Sequence, residues 1–258
     1  IKCAKIARPL WHINLRPLKK EELIMKKIKK ILKKTYKWII LLICLIIFLG
    51  ILEDIFEYEK LQLDTIIYEI IVLNLRTEPL TIFMHIITNL GGAYALITIS
   101  VLSIVILKNK KIGYSISINL IIITALNFVF KNIIQRPRPE GYRLIDETGY
   151  SFPSGHSMVS TAFYGLIIYI IWKNVKNKAI KYTSCTLLTI LVILIGVSRI
   201  YLGVHYASDV LGGFLISIAY LIVFVTVTKS ILQIQNDEMK NEKEKNIYES
   251  KTEVKEKN

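Results

Sequence analysis

The sequence predicts an all-α polytopic membrane protein: a bundle of six transmembrane helices with an amphipathic interfacial helix and a polar C-terminal tail. Composition is the first indication, because 53% of the 258 residues are hydrophobic and the mean hydropathy is +0.45, which is unusual for a soluble domain. The second is that the apolar residues fall in blocks long enough to cross a bilayer. The predicted spans are residues 38–52, 79–107, 114–130, 157–172, 182–197 and 210–228.

The first span follows a strongly basic segment. Residues 1–37 contain thirteen Lys or Arg and two Glu. The apolar run 38–52 is short, but the lysines before it can extend along its surface and lengthen it. A signal peptide is the competing interpretation, and the lack of a small-residue cleavage site after the run favours an uncleaved span. Further lysines follow Met25, and we hypothesise that Met25 is the natural start and that residues 1–24 are an upstream extension.

Residues 53–78 predict a helix on the membrane surface. They contain seven acids and two bases, and Leu and Ile recur at helical spacing with polar residues such as Asp64 between them. This pattern is typical of an amphipathic helix at the outer interface. In the span that follows, we interpret His85 and Asn89 as helix-packing residues rather than catalytic groups.

The distribution of basic residues predicts the topology. Segments 1–37, 108–111 and 173–181 together contain twenty Lys or Arg, and the positive-inside rule places such segments in the cytoplasm. We therefore expect a multi-pass protein of the cell membrane with both termini inside. The outer segments are then 53–78, 131–156 and 198–209.

Several classes of partner and cofactor are disfavoured. The net charge is +14, but its position beside an apolar run indicates a membrane surface, and no aromatic and basic nucleic-acid signature is present. The spacing of Cys3, Cys44 and Cys185 indicates neither a disulfide framework nor a zinc site. No carboxylate cluster lies near the polar loops, so we expect chemistry without a metal or cofactor. The tail 229–258 balances seven Lys against seven acids and predicts a frayed helix or disorder, and nothing in the sequence indicates the oligomeric state.

Three polar stretches fall on the predicted outer side of the membrane. Two of them fall within the 131–156 loop or at its end, and this loop contains four bases. Bases retained on the outer side need a reason other than topology, and anion binding is the natural one. The stretches are residues 131–139, 151–157 and 198–209.

The stretch 198–209 contains the candidate nucleophile. His205 and Asp209 are four residues apart, so an Asp209 carboxylate in the first turn of the next helix can accept one ring proton of His205. The other ring nitrogen is then free to attack. The simpler alternative is a short interfacial loop with an ordinary N-cap Asp, and this stretch alone does not separate the two.

The stretch 151–157 predicts a helix N-terminus that can bind an anion. Ser154 is a suitable N-cap, and Gly155 lets an anion approach the backbone N–H groups closely. By itself this is a routine helix start. If the anion is a phosphate ester, attack by His205 on phosphorus would form a phosphohistidine, and His156 can protonate the oxygen that leaves. His156 can later activate the water that hydrolyses the phosphohistidine. Further charge for binding a phosphate would come from Lys131, Arg138 and Arg199.

The three stretches together resemble the signature of the type 2 phosphatidic acid phosphatase superfamily. This resemblance implies a helical membrane bundle with its active site at the outer face. It implies that His205 is the nucleophile, Asp209 its partner and His156 the acid. The matching motifs are Lys131 with Arg138-Pro139, then Pro153-Ser154-Gly155-His156, then Ser198-Arg199 with His205 and Asp209. The resemblance assigns phosphate binding to Lys131, Arg138, Ser154, Gly155, Ser198 and Arg199.

One residue inside the first motif is additional. Arg136 is interpreted as a structural surface arginine, with contact to a second phosphate as the alternative. The predicted organisation is a basic segment 1–37, a six-span phosphatase domain 38–228 and a charged tail 229–258.

The expected substrate is a lipid phosphate or diphosphate, because its phosphate reaches the membrane surface while its tail stays in lipid. Undecaprenyl diphosphate is slightly favoured over phosphatidylglycerophosphate and phosphatidic acid. A lipid phosphotransferase using the same residues is the alternative. A non-catalytic lipid transporter is less favoured, because His156, His205 and Asp209 are all present. The membrane spans disfavour a soluble haloperoxidase.

Overall fold

The protein is described here from a computed structural model, which covers residues 16–58, 60–141 and 143–232, with the backbone alone at 16–24, 26–34 and 230–232. The hypothesis about residues 1–24 falls mostly on residues 1–15, and the prediction for the tail 229–258 falls mostly on residues beyond 232, and both of these sets lie outside this description. The chain divides after Ile40 into two compact units, and the bundle belongs to the second, which begins at Leu41. The helices are α1 (Arg16–Glu57), α2 (Gln62–Tyr68), a π-helical segment (Glu69–Asn74), α3 (Glu78–Leu90), α4 (Ala93–Ile106), α5 (Lys110–Ile134), α6 (Gly155–Asn174), α7 (Lys178–Tyr201) and α8 (Ala207–Leu232).

Five of the described helices are long and apolar enough to cross a membrane, and the bent pair α3 and α4 gives a sixth if it is one span. The predicted polytopic helical bundle is therefore confirmed. The second span is not the continuous helix expected over 79–107, because the chain bends by 44° between α3 and α4. The bend falls at Gly91 and Gly92, and a Cβ on Gly91 would lie 2.5 Å from the Ile195 side chain. A glycine is needed there so that α3 can end against α7.

The predicted interfacial helix over 53–78 is wrong in its extent. Helix α1 continues to Glu57, α2 and the π-helical segment follow, and α3 begins at Glu78. Asp64, which the pattern placed on a polar outer face, is 3% exposed. Its carboxylate is bound by Arg136 and Ser208, which come from distant parts of the chain. The spacing of residues along one helix carries no information about such distant partners.

Helix α6 lies at the centre of the bundle and packs against α5, α7 and α8. Its side chains Phe163 and Leu166 are fully buried with Ile195 of α7. Polar side chains also bind its backbone: Asn119 donates to the Ala162 carbonyl at 3.1 Å, and Ser217 donates to the Met158 carbonyl at 2.7 Å. Such hydrogen bonds between helices supplement packing where lipid provides no hydrophobic driving force.

Four helix ends meet at one end of this bundle. They are the last turns of α5 and α7 and the first turns of α6 and α8. The Ser154 N–H donates to the Asp209 carbonyl at 3.1 Å, which joins the starts of α6 and α8. The loop between α5 and α6 is bound to the end of α7 by the Leu144 N–H, which donates to the Leu202 carbonyl at 2.9 Å. The three predicted polar stretches therefore come together.

Gly212 sits where α8 crosses the fully buried Phe152 ring just before α6. A Cβ on Gly212 would lie 2.5 Å from that ring. We expect Gly212→Ala to lower the free energy of unfolding by roughly 1–3 kcal/mol through overpacking, measured as the midpoint of thermal unfolding in detergent. Gly50→Ala is the matched control, because nothing lies within 4 Å of its added Cβ. A Gly212→Ala protein as stable as wild type would contradict this close contact.

Candidate active site

The short turn between α7 and α8 holds His205 against Asp209. Gly203 in this turn has a φ of 77°, a left-handed conformation that favours glycine. Oδ2 of Asp209 lies 3.2 Å from His205 Nδ1 and accepts the Tyr206 N–H at 2.9 Å. Asp209 is the third residue of α8 and not its N-cap, so the simpler alternative raised by the sequence is wrong in position. Its carboxylate binds the backbone N–H of the residue before the helix and also contacts the imidazole. A carboxylate on Nδ1 places the proton there and leaves Nε2 with its lone pair.

The Nε2 atom of His205 faces a cluster of cations. The nearest is Arg138, whose Nη1 lies 3.2 Å from Nε2. His205 is 3% exposed. Burial first, and then the charges of Arg199, Arg138 and Lys131, hold the pKa of His205 well below its ordinary range. The imidazole is therefore neutral, which is the form a nucleophile requires.

Backbone carbonyls position Arg138. Its Nε donates to the Gly149 carbonyl, its Nη2 to Thr148 and its Nη1 to Val204, all at 3.0 Å. Carbonyls from both the α5–α6 loop and the α7–α8 turn therefore hold this guanidinium beside His205. Fixed donors of this kind need no reorganisation when negative charge arrives.

Arg199 is 1% exposed at the end of α7 and is bound on two sides. Its Nη1 donates to Thr88 Oγ1 at 2.8 Å, and its Nη2 pairs with the Glu147 carboxylate. The second oxygen of Glu147 lies 3.7 Å from Arg138 Nη2. Burial raises the pKa of Glu147, but Arg199 and Arg138 outweigh it and the net shift is downward. An ionised carboxylate thus bridges two arginines beside His205, where a bound anion would meet the same two side chains.

Lys131 reaches the site from the last turn of α5. Its Nζ donates to the Tyr150 carbonyl. Gln135 is the C-cap of α5 and has a φ of 53°, and the Ser151 N–H donates to the Arg136 carbonyl at 2.9 Å. These bonds fold the loop back over the helix end.

The first turn of α6 lies opposite His205. Ser154 is the N-cap and is fully buried. The first intrahelical bond runs from Met158 N–H to the Ser154 carbonyl, so the preceding N–H groups have no carbonyl partner within the helix. A Cβ on Gly155 would lie 3.1 Å from Asn127 Oδ1, so this position accommodates little more than glycine. His156 follows, and the charges of Arg199, Arg138 and Lys131 lie close enough to act on its side chain.

One predicted phosphate ligand is engaged elsewhere. Ser198 is fully buried on α7, and its hydroxyl donates to the Ile195 carbonyl at 2.6 Å. The Ser198 hydroxyl hydrogen is therefore used in a bond within α7 and does not point to the site. Its assignment as a phosphate ligand stays a prediction.

Four residues near the site were not assigned correctly from the sequence. Arg136 is not a surface residue, because it is 3% exposed and its guanidinium lies 4.2 Å above the Tyr206 ring. Glu147 lies in the sequence between two of the motifs, and this position could have indicated that it is close to the site. Asp64 and Thr88 precede the motifs by dozens of residues and carry no recognisable pattern. Within the part of the chain that the structure describes, no group of three or more His, Cys, Asp or Glu could hold a metal ion.

The chain is similar in sequence to known phosphatases. The PAP2 superfamily model matches residues 112–231. Phosphatidylglycerophosphatase B of Bacillus subtilis is 42% identical over 104 residues, which are 39% of this chain and 49% of that protein. Undecaprenyl-diphosphatase of Sulfolobus acidocaldarius is 28% identical over 217 residues, which are 79% of this chain and 98% of that protein. The chain thus spans about half of the first relative and nearly all of the second.

Solved structures agree with these matches. The crystal structure of a transmembrane PAP2-type phosphatidylglycerolphosphate phosphatase from Bacillus subtilis superposes with a TM-score of 0.67 at 29% identity, covering 74% of this chain and 96% of that one. The Aquifex aeolicus LpxE structure gives a TM-score of 0.55 at 25% identity, covering 66% and 98% of the two chains. Residues 112–231 match the PAP2 superfamily, and both solved structures support the type 2 phosphatidic acid phosphatase superfamily for this chain.

Proposed function

We propose that this chain is an integral-membrane lipid phosphatase that hydrolyses a lipid phosphate or diphosphate monoester through a phosphohistidine on His205. One observation carries the proposal: His205 is buried, with Nδ1 against Asp209 and Nε2 toward Arg138. The phosphatase names of the relatives support the reaction class.

In the first step, Nε2 of His205 attacks phosphorus in line with the leaving oxygen. The N–P bond forms as the P–O bond to the lipid breaks, and His156 gives its proton to the departing oxygen. The proton on Nδ1 stays shared with Asp209, which stabilises the positive charge that develops on the ring.

In the second step, water attacks the phosphohistidine. His156, now neutral, removes a proton from the water, the N–P bond breaks, and inorganic phosphate leaves with His205 restored. The net reaction consumes one water and yields the lipid alcohol, or the lipid monophosphate when the substrate is a diphosphate.

The charge on the phosphoryl oxygens is stabilised by Arg138 and Arg199, by Lys131, and by the Gly155 N–H at the start of α6. The Ser154 N–H already donates to the Asp209 carbonyl. We expect these groups to supply what metal ions supply in many other phosphoryl-transfer enzymes. The phosphoryl group must take the place of the Glu147 carboxylate on Arg199 and Arg138.

The charge distribution supports a topology in which both termini are cytoplasmic and the site faces outward, in the cell membrane. Helices α5, α6 and α7 carry the site residues at one end and border the loops 107–109 and 175–177 at the other, and lysines lie in or beside these loops. For the substrate, undecaprenyl diphosphate is slightly favoured, since a relative matched over nearly its full length carries that activity in its name. Phosphatidylglycerophosphate and phosphatidic acid are the competing substrates.

The test is phosphate release by detergent-purified protein from these three lipids, in the presence of EDTA. Release from one lipid that persists in EDTA supports the proposal and identifies the preferred substrate. Loss of all release in EDTA, with recovery on adding a divalent cation, would contradict the metal-independent mechanism. No release from any of the lipids would overturn simple hydrolysis of these substrates.

Glu147→Gln tests whether that carboxylate competes with phosphate. Removing its charge frees Arg199 and Arg138 from an ion pair, so inorganic phosphate should inhibit about tenfold more strongly, as expected for a charge-assisted hydrogen bond of about 1.5 kcal/mol. The measurement is the inhibition constant of phosphate. Asp146→Asn is the matched control, because Asp146 is the exposed neighbour on the same loop. Unchanged or weaker phosphate inhibition in Glu147→Gln would instead make Glu147 a structural support for Arg199.

A further inference from the structure

A buried ion network connects α2 with the start of α8, directly behind the His205–Asp209 pair. Its three charged members are Asp64, Arg136 and Asp209, and each is at most 3% exposed. Asp64 lies outside the residues 112–231 that the family model matches. The network therefore joins the shared motif region to a segment of this chain that the motifs do not include.

Arg136 occupies the middle of this network and divides its donors between two carboxylates. Its Nη1 donates to Asp209 Oδ1 at 2.7 Å, and its Nη2 donates to Asp64 Oδ2 at 2.8 Å. The same Nη1 also contacts the Ser208 hydroxyl at 2.7 Å. A planar guanidinium can hold two carboxylates at a fixed separation, whereas a lysine acts as a single point charge.

Asp64 completes the arrangement by binding the first turn of α8. Its Oδ1 accepts the Ser208 N–H at 2.8 Å, and its Oδ2 accepts the Ser208 hydroxyl at 2.8 Å. Asp64 therefore caps α8 from another part of the chain, next to Asp209. An acidic side chain in this position also interacts favourably with the helix dipole.

Both oxygens of Asp209 are consequently in use. Oδ2 faces His205 Nδ1 and the Tyr206 N–H, while Oδ1 faces Arg136. Loss of Arg136 would leave one side of a buried carboxylate without its cation, which is costly. The carboxylate would then rotate or take up a proton, and either change weakens its hold on His205.

From these contacts we infer that Asp64 and Arg136 are positioning residues that fix the Asp209 carboxylate and, through it, the orientation of His205. The inference rests on the proposed function and adds two residues to its machinery. It replaces the interpretation of Arg136 as a contact to a second phosphate, because both terminal nitrogens already face carboxylates.

The test compares Asp64→Asn, Arg136→Lys and Arg136→Ala in the full-length chain. Because a small misplacement of a reacting group can cost on the order of 10²-fold in rate, Arg136→Ala should lower kcat about 100-fold. Asp64→Asn and Arg136→Lys should each lower it by roughly 10-fold, with partial rescue by the lysine. KM should stay within about twofold of wild type, because the variants leave the phosphate-binding cations in place.

Binding of inorganic anions gives a readout that is independent of the lipid. Orthovanadate accepts a nitrogen ligand and resembles the five-coordinate transition state, whereas phosphate resembles the ground state. The ratio of vanadate to phosphate affinity should therefore fall about 10-fold or more in each variant. Asp64→Asn combined with Arg136→Ala should be no worse than Arg136→Ala alone, since both changes act through Asp209.

Arg143→Gln is the matched control, because Arg143 is an exposed arginine of the same loop that donates to the Pro139 carbonyl. It should match wild type in kcat and in the vanadate ratio. If Asp64→Asn and Arg136→Lys lower the unfolding temperature but keep wild-type kcat and vanadate ratio per folded molecule, the network is structural and the inference is overturned. If Arg136→Ala does not fold, the kcat and vanadate ratio of Asp64→Asn and Arg136→Lys decide between a positioning and a structural role. A wild type that binds vanadate no more tightly than phosphate would overturn the proposed function itself.

Discussion

His205→Ala is expected to abolish phosphate release, by at least about 10⁴-fold, while the protein still folds. The imidazole is the proposed nucleophile, and removal of a nucleophile costs nearly all of the chemical acceleration in enzymes with a covalent intermediate. The alanine variant should also form no phosphoenzyme. Release that persists within tenfold of wild type would show that another group attacks phosphorus.

His156→Ala should behave differently, because its proposed role depends on the leaving group. An alkoxide leaving group needs a proton, whereas p-nitrophenolate leaves without much help. We therefore expect a large loss with a lipid monophosphate and a much smaller loss in the phosphorylation step with p-nitrophenyl phosphate. With the second substrate, the phosphoenzyme should accumulate, since the water has lost its base. An equal loss of phosphorylation rate with both substrates would contradict the assignment of His156 as the acid.

The second large effect is expected for Asp209→Asn. Asp209 is fully buried and contacts His205 Nδ1, the Tyr206 N–H and Arg136. The amide has a single acceptor oxygen, and its NH₂ group would face either the imidazole or the guanidinium. By analogy with other histidine–aspartate pairs, the wrong tautomer costs roughly 10³–10⁴-fold in kcat.

This loss should appear in kcat for lipid phosphate with little change in phosphate inhibition, because the phosphate-binding cations are untouched. Steady-state kinetics of purified Asp209→Asn against wild type measure it, with Asp146→Asn as the exposed control on the α5–α6 loop. An Asp209→Asn enzyme with more than a tenth of wild-type kcat would mean that the carboxylate is a helix cap without a role in orienting His205.

The meeting of the motifs could be predicted because each occupies a helix end. Alternating spans place the last turn of α5, the first turn of α6 and the α7–α8 turn at one side of the bundle, and Lys131, Arg138, Arg199 and His205 do come together there. The spacing of four between His205 and Asp209 likewise predicted their contact. Local geometry and membrane topology were sufficient for these features.

Other features depend on contacts between distant segments. Asp64 looked like one acid among seven on an interfacial helix, yet Arg136, 72 residues later, pairs with it in the interior. The break at Gly91 follows from the side chain of Ile195 on another helix. Glu147 is a neighbour of the site because the α5–α6 loop places its carboxylate on Arg199. No periodicity within one segment contains this information.

The central claim is that His205 becomes phosphorylated during turnover. The direct measurement is mass spectrometry of peptides from wild type and His156→Ala. Each protein is mixed with p-nitrophenyl phosphate and quenched in alkali, where phosphohistidine survives. The account predicts a phosphoryl group on His205 that accumulates in His156→Ala and disappears in acid. A phosphoryl group on His156 or on another residue, or active enzyme without any phosphorylated peptide, would contradict it.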